Sequence, residues 1–221
     1  MLGKLAIGAA LLGMVVLGSQ SLIGQELEKT MLLNAVRAGD LEKVRLIARR
    51  SDTEARDGQG RTALLLAVQQ DDVEIARALI DAGADVNAKD GIKDTPFLYA
   101  GAEGRDQILK LILATGRAEL DDTNRYGGTA LIPAAHHGHP TTVEILLQAG
   151  LDVDHVNNLG WTALLEAVIL GDGGPVYQEI VAMLIDAGAA QIPDRDGVTP
   201  LEHARKRGFE VIATRIAAGP R

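Results

Sequence analysis

The 221-residue chain contains no cysteine. It can form no disulfide, and it has neither a thiol nucleophile nor a thiolate metal ligand. Aromatic residues make up 3% of it, with a single tryptophan. That composition speaks against a core built on large rings and favours helices packed through small residues. Serine occurs only at positions 19, 21 and 51, and none stands in a motif that pairs it with a base. No N-x-S/T sequon is present. The formal net charge is −8, whereas a nucleic-acid partner demands a basic footprint. No zinc-finger, basic-helix or aromatic-strand pattern compensates. Nucleic acid is therefore excluded as the expected partner.

What the chain does have is small and apolar residues in a repeating order. Between Asp57 and Lys89, Gly60 opens a turn and Thr62 stands where its hydroxyl can cap a helix. Leu64, Ala67 and Val68 then fall on one helical face. Asp72 can cap a second helix striped by Ile75, Ala76, Leu79 and Ile80, and Gly83 stands where that helix needs a left-handed residue. Neither helix alone can hide its apolar face. The same order returns at Thr95, Thr129, Thr162 and Thr199, at spacings of 33, 34, 33 and 37 residues. An alanine follows each threonine after five residues (Ala67, Ala100, Ala134, Ala167, Ala204). A glycine follows after nine at Gly104, Gly138, Gly171 and Gly208, with Asp71 as the exception. A fainter copy runs through Thr30, Ala35 and Gly39. This period predicts an all-α repeat solenoid, whose units bury their apolar faces only by stacking.

The segments DGQGRTALLLAV, NRYGGTALIPAAHHGH, NNLGWTALLEAV and DRDGVTPLEHA, with the arms GADVNAKD and GLDVDHVN, resemble the ankyrin repeats. The resemblance covers roughly residues 30–218. It implies helix-turn-helix units joined by short β-hairpin-like loops, and it implies protein binding without catalysis or cofactor. The expected units are a cap at 25–56, repeats at 57–89, 90–123, 124–156 and 157–193, and a closing cap at 194–218. In the opening cap Leu32, Leu33, Val36, Leu41, Val44, Leu46 and Ile47 are expected to face inward. The chain departs from the family where a histidine usually follows the threonine by three residues: Leu65, Leu98, Ile132, Leu165 and Glu202 stand there. Apolar packing is expected to replace the usual threonine–histidine bond. Pro133 falls early in the third unit's first helix, and Gly171 to Pro175 lengthen the fourth unit's helix connection.

Residues 1–24 differ from the rest. Lys4 precedes an uninterrupted small-and-apolar run from Leu5 to Gly18, and Ser19-Gln20-Ser21 follows in the spacing of a cleavage site. This order reads as a bacterial secretory signal. Extended to Ile23, the run nears the roughly 20 residues of a spanning helix, so an uncleaved inner-membrane anchor is the other reading. Either places the repeat domain, 25–221, in the periplasm.

Candidate chemistry dissolves into the repeat. Gly58, Gly60 and Ala63 imitate a dinucleotide fingerprint but lack its strand and distal acid. Asp194 to Gly197 imitates a calcium loop with its glycine misplaced. His136, His137 and His139 are the one cluster with ligand character, with His136 and His139 expected on one helix face. They lack a complete ligand set, so no metal is expected.

Protein recognition remains. The family's contact positions, carried onto this chain, place Ile92, Arg125, Tyr126, Asn158 and Leu159 on the loop tips. His136, His137, Ile169 and Leu170 fall on the first helices, and Trp161 follows a turn glycine. The resemblance to small exported bacterial ankyrin proteins implies a monomeric domain that protects or inhibits a periplasmic enzyme or toxin, the latter as an immunity protein. A membrane-tethered adaptor in an envelope complex is the alternative.

Overall fold

The computed structural model describes residues 24, 26–50 and 52–220. The leader reading therefore lies, except at Gly24, outside the described residues. The first described helix, α1, runs through residues 26–37. It is followed by α2 (Leu41–Ala48), α3 (Ala63–Gln69), α4 (Val73–Asp81), α5 (Pro96–Ala102) and α6 (Asp106–Ala114). Then come α7 (Leu131–His136), α8 (Pro140–Gln148), α9 (Ala163–Leu170), α10 (Pro175–Asp186), α11 (Pro200–Lys206) and α12 (Glu210–Ala218). Each consecutive pair is one unit. The first helices α3, α5, α7, α9 and α11 stack in one row, and α2, α4, α6, α8, α10 and α12 stack in a second. Among the described residues the loops hold no strand, only an isolated antiparallel bridge between Arg56 and Thr62.

The first helices begin where the threonines predict. The hydroxyls of Thr62, Thr95, Thr162 and Thr199 accept from the backbone N–H three residues on, at 3.0–3.3 Å. Thr129 breaks the rule, and Pro133 is the reason. In the other units the residue four after the threonine donates its N–H to the threonine carbonyl. Proline has no N–H to give. Ile132 bonds the Thr129 carbonyl instead, at 3.2 Å, and the buried Thr129 hydroxyl has no partner among the described residues. Where the family's histidine is missing, Leu65, Leu98, Ile132 and Leu165 are buried. Glu202 uses its carboxylate to accept from both the N–H and the hydroxyl of Thr199, which closes a capping box.

The core is aliphatic and continuous from Leu32 to Ile216, with Phe97 its one buried phenylalanine. Small residues let the first helices approach: a Cβ on Gly101 of α5 would come 2.8 Å from Ala130. One expected core residue is misplaced. Leu46 is 58% exposed, because Val44 and Ala48 carry the inward stripe of α2 and residue 46 lies between them on the far side.

Each loop tip is pinned by one side chain. An Oδ1 of Asp57, Asp90, Asn124, Asn157 or Asp194 accepts the N–H groups two and four residues later. Burial works against the Asp57 charge, but hydrogen bonds from Arg61 and from the Gln59 and Arg61 backbone outweigh it and bring its pKa down to about 2.

The tip position held by Gly60, Gly127, Gly160 and Gly197 is left-handed, and in the second unit Lys93 occupies it with φ +68°. Asp71 likewise stands at φ +57° where other units have glycine. Left-handed backbone disfavours any residue with a Cβ. Lys93→Gly is therefore expected to raise stability by roughly 0.5–1 kcal/mol, measured as a higher urea midpoint. An unchanged or lower midpoint would show that Lys93 pays nothing for this conformation.

Candidate functional site

The tips and first helices of the second, third and fourth units enclose a cavity of about 450 Å³. Its origin is visible in the column of residues four after each threonine: Leu66, Tyr99, Pro133, Glu166 and His203. The short Pro133 ring stands between the longer Tyr99 and Glu166 and leaves a gap that all three line. Leu98, Tyr99 and Glu103 form the second-unit wall. Pro133, His136 and His137 lie in the middle, and Trp161, Glu166 and Leu170 form the fourth-unit wall. Asp94, Arg125, Tyr126 and Leu159 reach it from the tips.

Of the expected contact residues, Arg125, Tyr126, His136, His137, Leu159, Trp161 and Leu170 line this cavity. Tyr126, Leu159 and Leu170 are large apolar side chains left 55%, 50% and 43% exposed. Arg125 lies over the Tyr126 ring at 4.7 Å and within 3.9 Å of Asp94. Trp161 is half-buried, and its N–H and carbonyl are both engaged by Asn157 in the turn. Three expected residues lie apart. Ile92 is exposed at the second tip. Asn158 turns toward the preceding tip, donating its N–H to the Tyr126 carbonyl at 2.9 Å, with its amide where a Gly127 Cβ would be. Ile169 is half-buried, and its carbonyl accepts from Arg207 of the closing cap.

The histidines are held individually. α7 ends at His136, so His139 does not share its face as the sequence suggests. It precedes α8 and packs on Gly104. The His137 ring lies between, 4.9 Å from His136 and 6.1 Å from His139, and its Nδ1 is 2.7 Å from the Ala102 carbonyl. Burial, then the neighbouring His137, pushes His136 and His139 toward the neutral form. Among the described residues no group of three potential ligands is placed to hold a metal ion.

Glu166 is the residue that sequence reasoning missed. It is 6% exposed within the apolar helix ALLEAVIL. One oxygen accepts from Asn157 Nδ2 at 2.8 Å, and the other lies 3.4 Å from His136 Nδ1. Burial raises its pKa to about 7, against the Asn157 hydrogen bond and the more distant His137, which act to lower it. The available signal was a carboxylate in a column otherwise held by Leu66, Tyr99, Pro133 and His203. Asp94 is also pushed up, by burial and then by Asp90, with Arg125 opposing.

The expected insertion is present and ties two units together. Gly171 is extended rather than left-handed, at φ −67°. The Tyr177 ring of α10 lies where a Gly171 Cβ would be, and its hydroxyl donates to the His136 carbonyl at 2.8 Å.

Comparison with known proteins agrees with this architecture. The family model described as ankyrin repeats in three copies matches residues 8–90 and 97–193. YahD of Escherichia coli K12, named an ankyrin repeat protein, is 42% identical over 191 residues, which is 85% of this chain and 94% of its own length. The crystal structure of an ankyrin repeat domain from Acinetobacter baumannii AYE is 51% identical, with a TM-score of 0.82 over 85% of this chain and 96% of that one. The ankyrin repeat protein EF0377 is 44% identical, with the same TM-score and coverage.

Proposed function

The chain belongs to the ankyrin repeat family, a family of non-enzymatic protein-interaction modules, and on that premise we propose that it binds a protein of the bacterial periplasm through its loop-tip and first-helix face. The bound protein is an enzyme that it protects or a toxin that it inhibits. The observation that carries the choice of face is the concentration of exposed Tyr126, Leu159 and Leu170 around one cavity spanning three units. Apolar and aromatic anchors ringed by polar groups are the usual makings of a binding hot spot. A stack whose tips are each pinned by an Asp or Asn side chain presents those anchors with little left to order on binding. The periplasmic setting rests on the Lys4, apolar run and Ser19-x-Ser21 order of the N-terminus.

The test is capture from separate envelope and cytoplasmic extracts. The wild-type domain is expected to retain a partner from the envelope fraction. Tyr126→Ala combined with Leu170→Ala should weaken that capture at least about tenfold, since each hot-spot truncation costs about 2 kcal/mol. Both side chains are exposed, so the helical melting transition should stay where it is. A partner found only in the cytoplasmic extract would sink the envelope reading. Undiminished capture by the double variant would move the surface elsewhere.

A further inference from the structure

We propose that the cavity between the second, third and fourth units receives one basic side chain, arginine or lysine, projecting from the bound protein, with Glu166 as its counter-ion. The inference rests on the reading of this face as the partner surface and names the chemistry of the residue that enters it.

Charge selects the occupant. Asp94, Glu103 and Glu166 line the cavity, and among the described residues Arg125 is the one permanently charged cation that lines it. His136 is held toward its neutral form. An acidic side chain would sit among Asp94, Glu103 and Glu166, and an aliphatic one would deepen the burial that already disfavours the charged form of Glu166. A cation relieves that cost directly. The oxygen accounting agrees. Glu166 Oε1 is used by Asn157 at 2.8 Å, while among the described residues Oε2 has only His136 Nδ1, at 3.4 Å, longer than the 2.7–2.9 Å of a good charge-assisted bond. That oxygen has room for a donor of full charge.

The walls suit the rest of such a side chain. Tyr99, Tyr126 and Trp161 present ring surface and Leu98 and Leu170 aliphatic surface, which an apolar stem can cover while its charged head reaches the floor. Ring faces attract cations, and Tyr126 already stacks on a guanidinium, that of Arg125, at 4.7 Å.

Trp161 is the only tryptophan of the chain and lines the cavity, so its fluorescence reports occupancy. The full chain is titrated with N-acetylarginine amide and N-acetyllysine amide. Each is set beside its neutral counterpart, N-acetylcitrulline amide and the Nε-acetylated lysine derivative. At least one cation should give a saturable signal and bind about tenfold tighter than its counterpart, and Glu166→Gln should abolish that preference. Neutral probes that match the cations, a preference that survives Glu166→Gln, or no saturable signal from any probe would each overturn the proposal. If cation preference is absent while capture still depends on Tyr126 and Leu170, this inference alone falls. If the preference is present but capture ignores those residues, the occupant is not a partner's side chain and the proposal fails on that count.

Discussion

Glu166→Gln is expected to stabilise the protein at pH 8 and to leave it unchanged below about pH 4.5. The carboxyl is buried, and its pKa in the fold is about 7 against an ordinary 4.5. Between those values the folded chain holds a proton that the unfolded chain has released, so this group's contribution to stability falls as pH rises through that window. Below it both states are protonated and the group contributes nothing. Above it both are ionised, and the full desolvation cost is present. Glutamine keeps the shape and the acceptor for Asn157 Nδ2 without the charge. At one pKa unit per 1.36 kcal/mol, discounted for water at the cavity mouth, the gain at pH 8 is about 2 kcal/mol. For a chain of this size that is roughly 4–8 °C in Tm. Melting wild type and variant in parallel from pH 4 to pH 8.5 checks it. A constant offset across that range, or a variant less stable at pH 8, would mean that the carboxylate is satisfied in its charged form.

The second large effect is a loss. Gly171→Ala is expected to destabilise by about 2–3 kcal/mol, the upper range for overpacking. A Cβ there would come 2.4 Å from both the Ala167 carbonyl and the Tyr177 ring. The ring cannot retreat without giving up its hydroxyl's bond to the His136 carbonyl, 2.8 Å away in the preceding unit. Urea unfolding measures the total. Tyr177→Phe, which removes only the hydroxyl, should cost about 1 kcal/mol, and the two variants together should fall short of additivity because they break one contact. A Gly171→Ala midpoint equal to wild type would show that the insertion yields freely.

Two positions of the glycine column, Asp71 and Gly171, show what the sequence carries and what it does not. The period, the threonine caps and the aliphatic stripes are local rules, repeated often enough that one exception did not obscure them. Asp71 and Gly171 belong to the same column, yet Asp71 takes the left-handed backbone and Gly171 does not. Asp172, Gly173 and Gly174, which lengthen the connection before α10 begins at Pro175, remove the tight turn that demanded it. Thr129 could have been anticipated from Pro133, because a proline four residues after a cap removes a known donor. The exposure of Leu46 was missed by treating apolarity as burial.

The cavity was less legible. Tyr126, Leu159 and Leu170 could be placed on a face through the resemblance to the ankyrin repeats, whose contact positions they occupy. The void between Tyr99 and Glu166, and the burial of Glu166 beneath Asn157 and His136, depend on three units meeting at once. Asn158 and Ile169 share that register with cavity residues, but contacts to adjacent units turn them aside: the Gly127 turn takes the side chain of one, and Arg207 takes the carbonyl of the other. No single-unit reading could separate the two groups.

Because its walls come from α5, α7 and α9, the cavity has no existence within any one unit. In a linear stack whose units depend chiefly on their neighbours, unwinding starts at the ends and travels inward. Loss of the terminal caps would leave the cavity standing, whereas opening any of three central units would erase it. Occupancy therefore works as a logical conjunction, reporting that three consecutive units are folded together. Whatever fills the cavity acts in turn as a clasp on the middle of the array, slowing amide exchange there while the ends continue to fray.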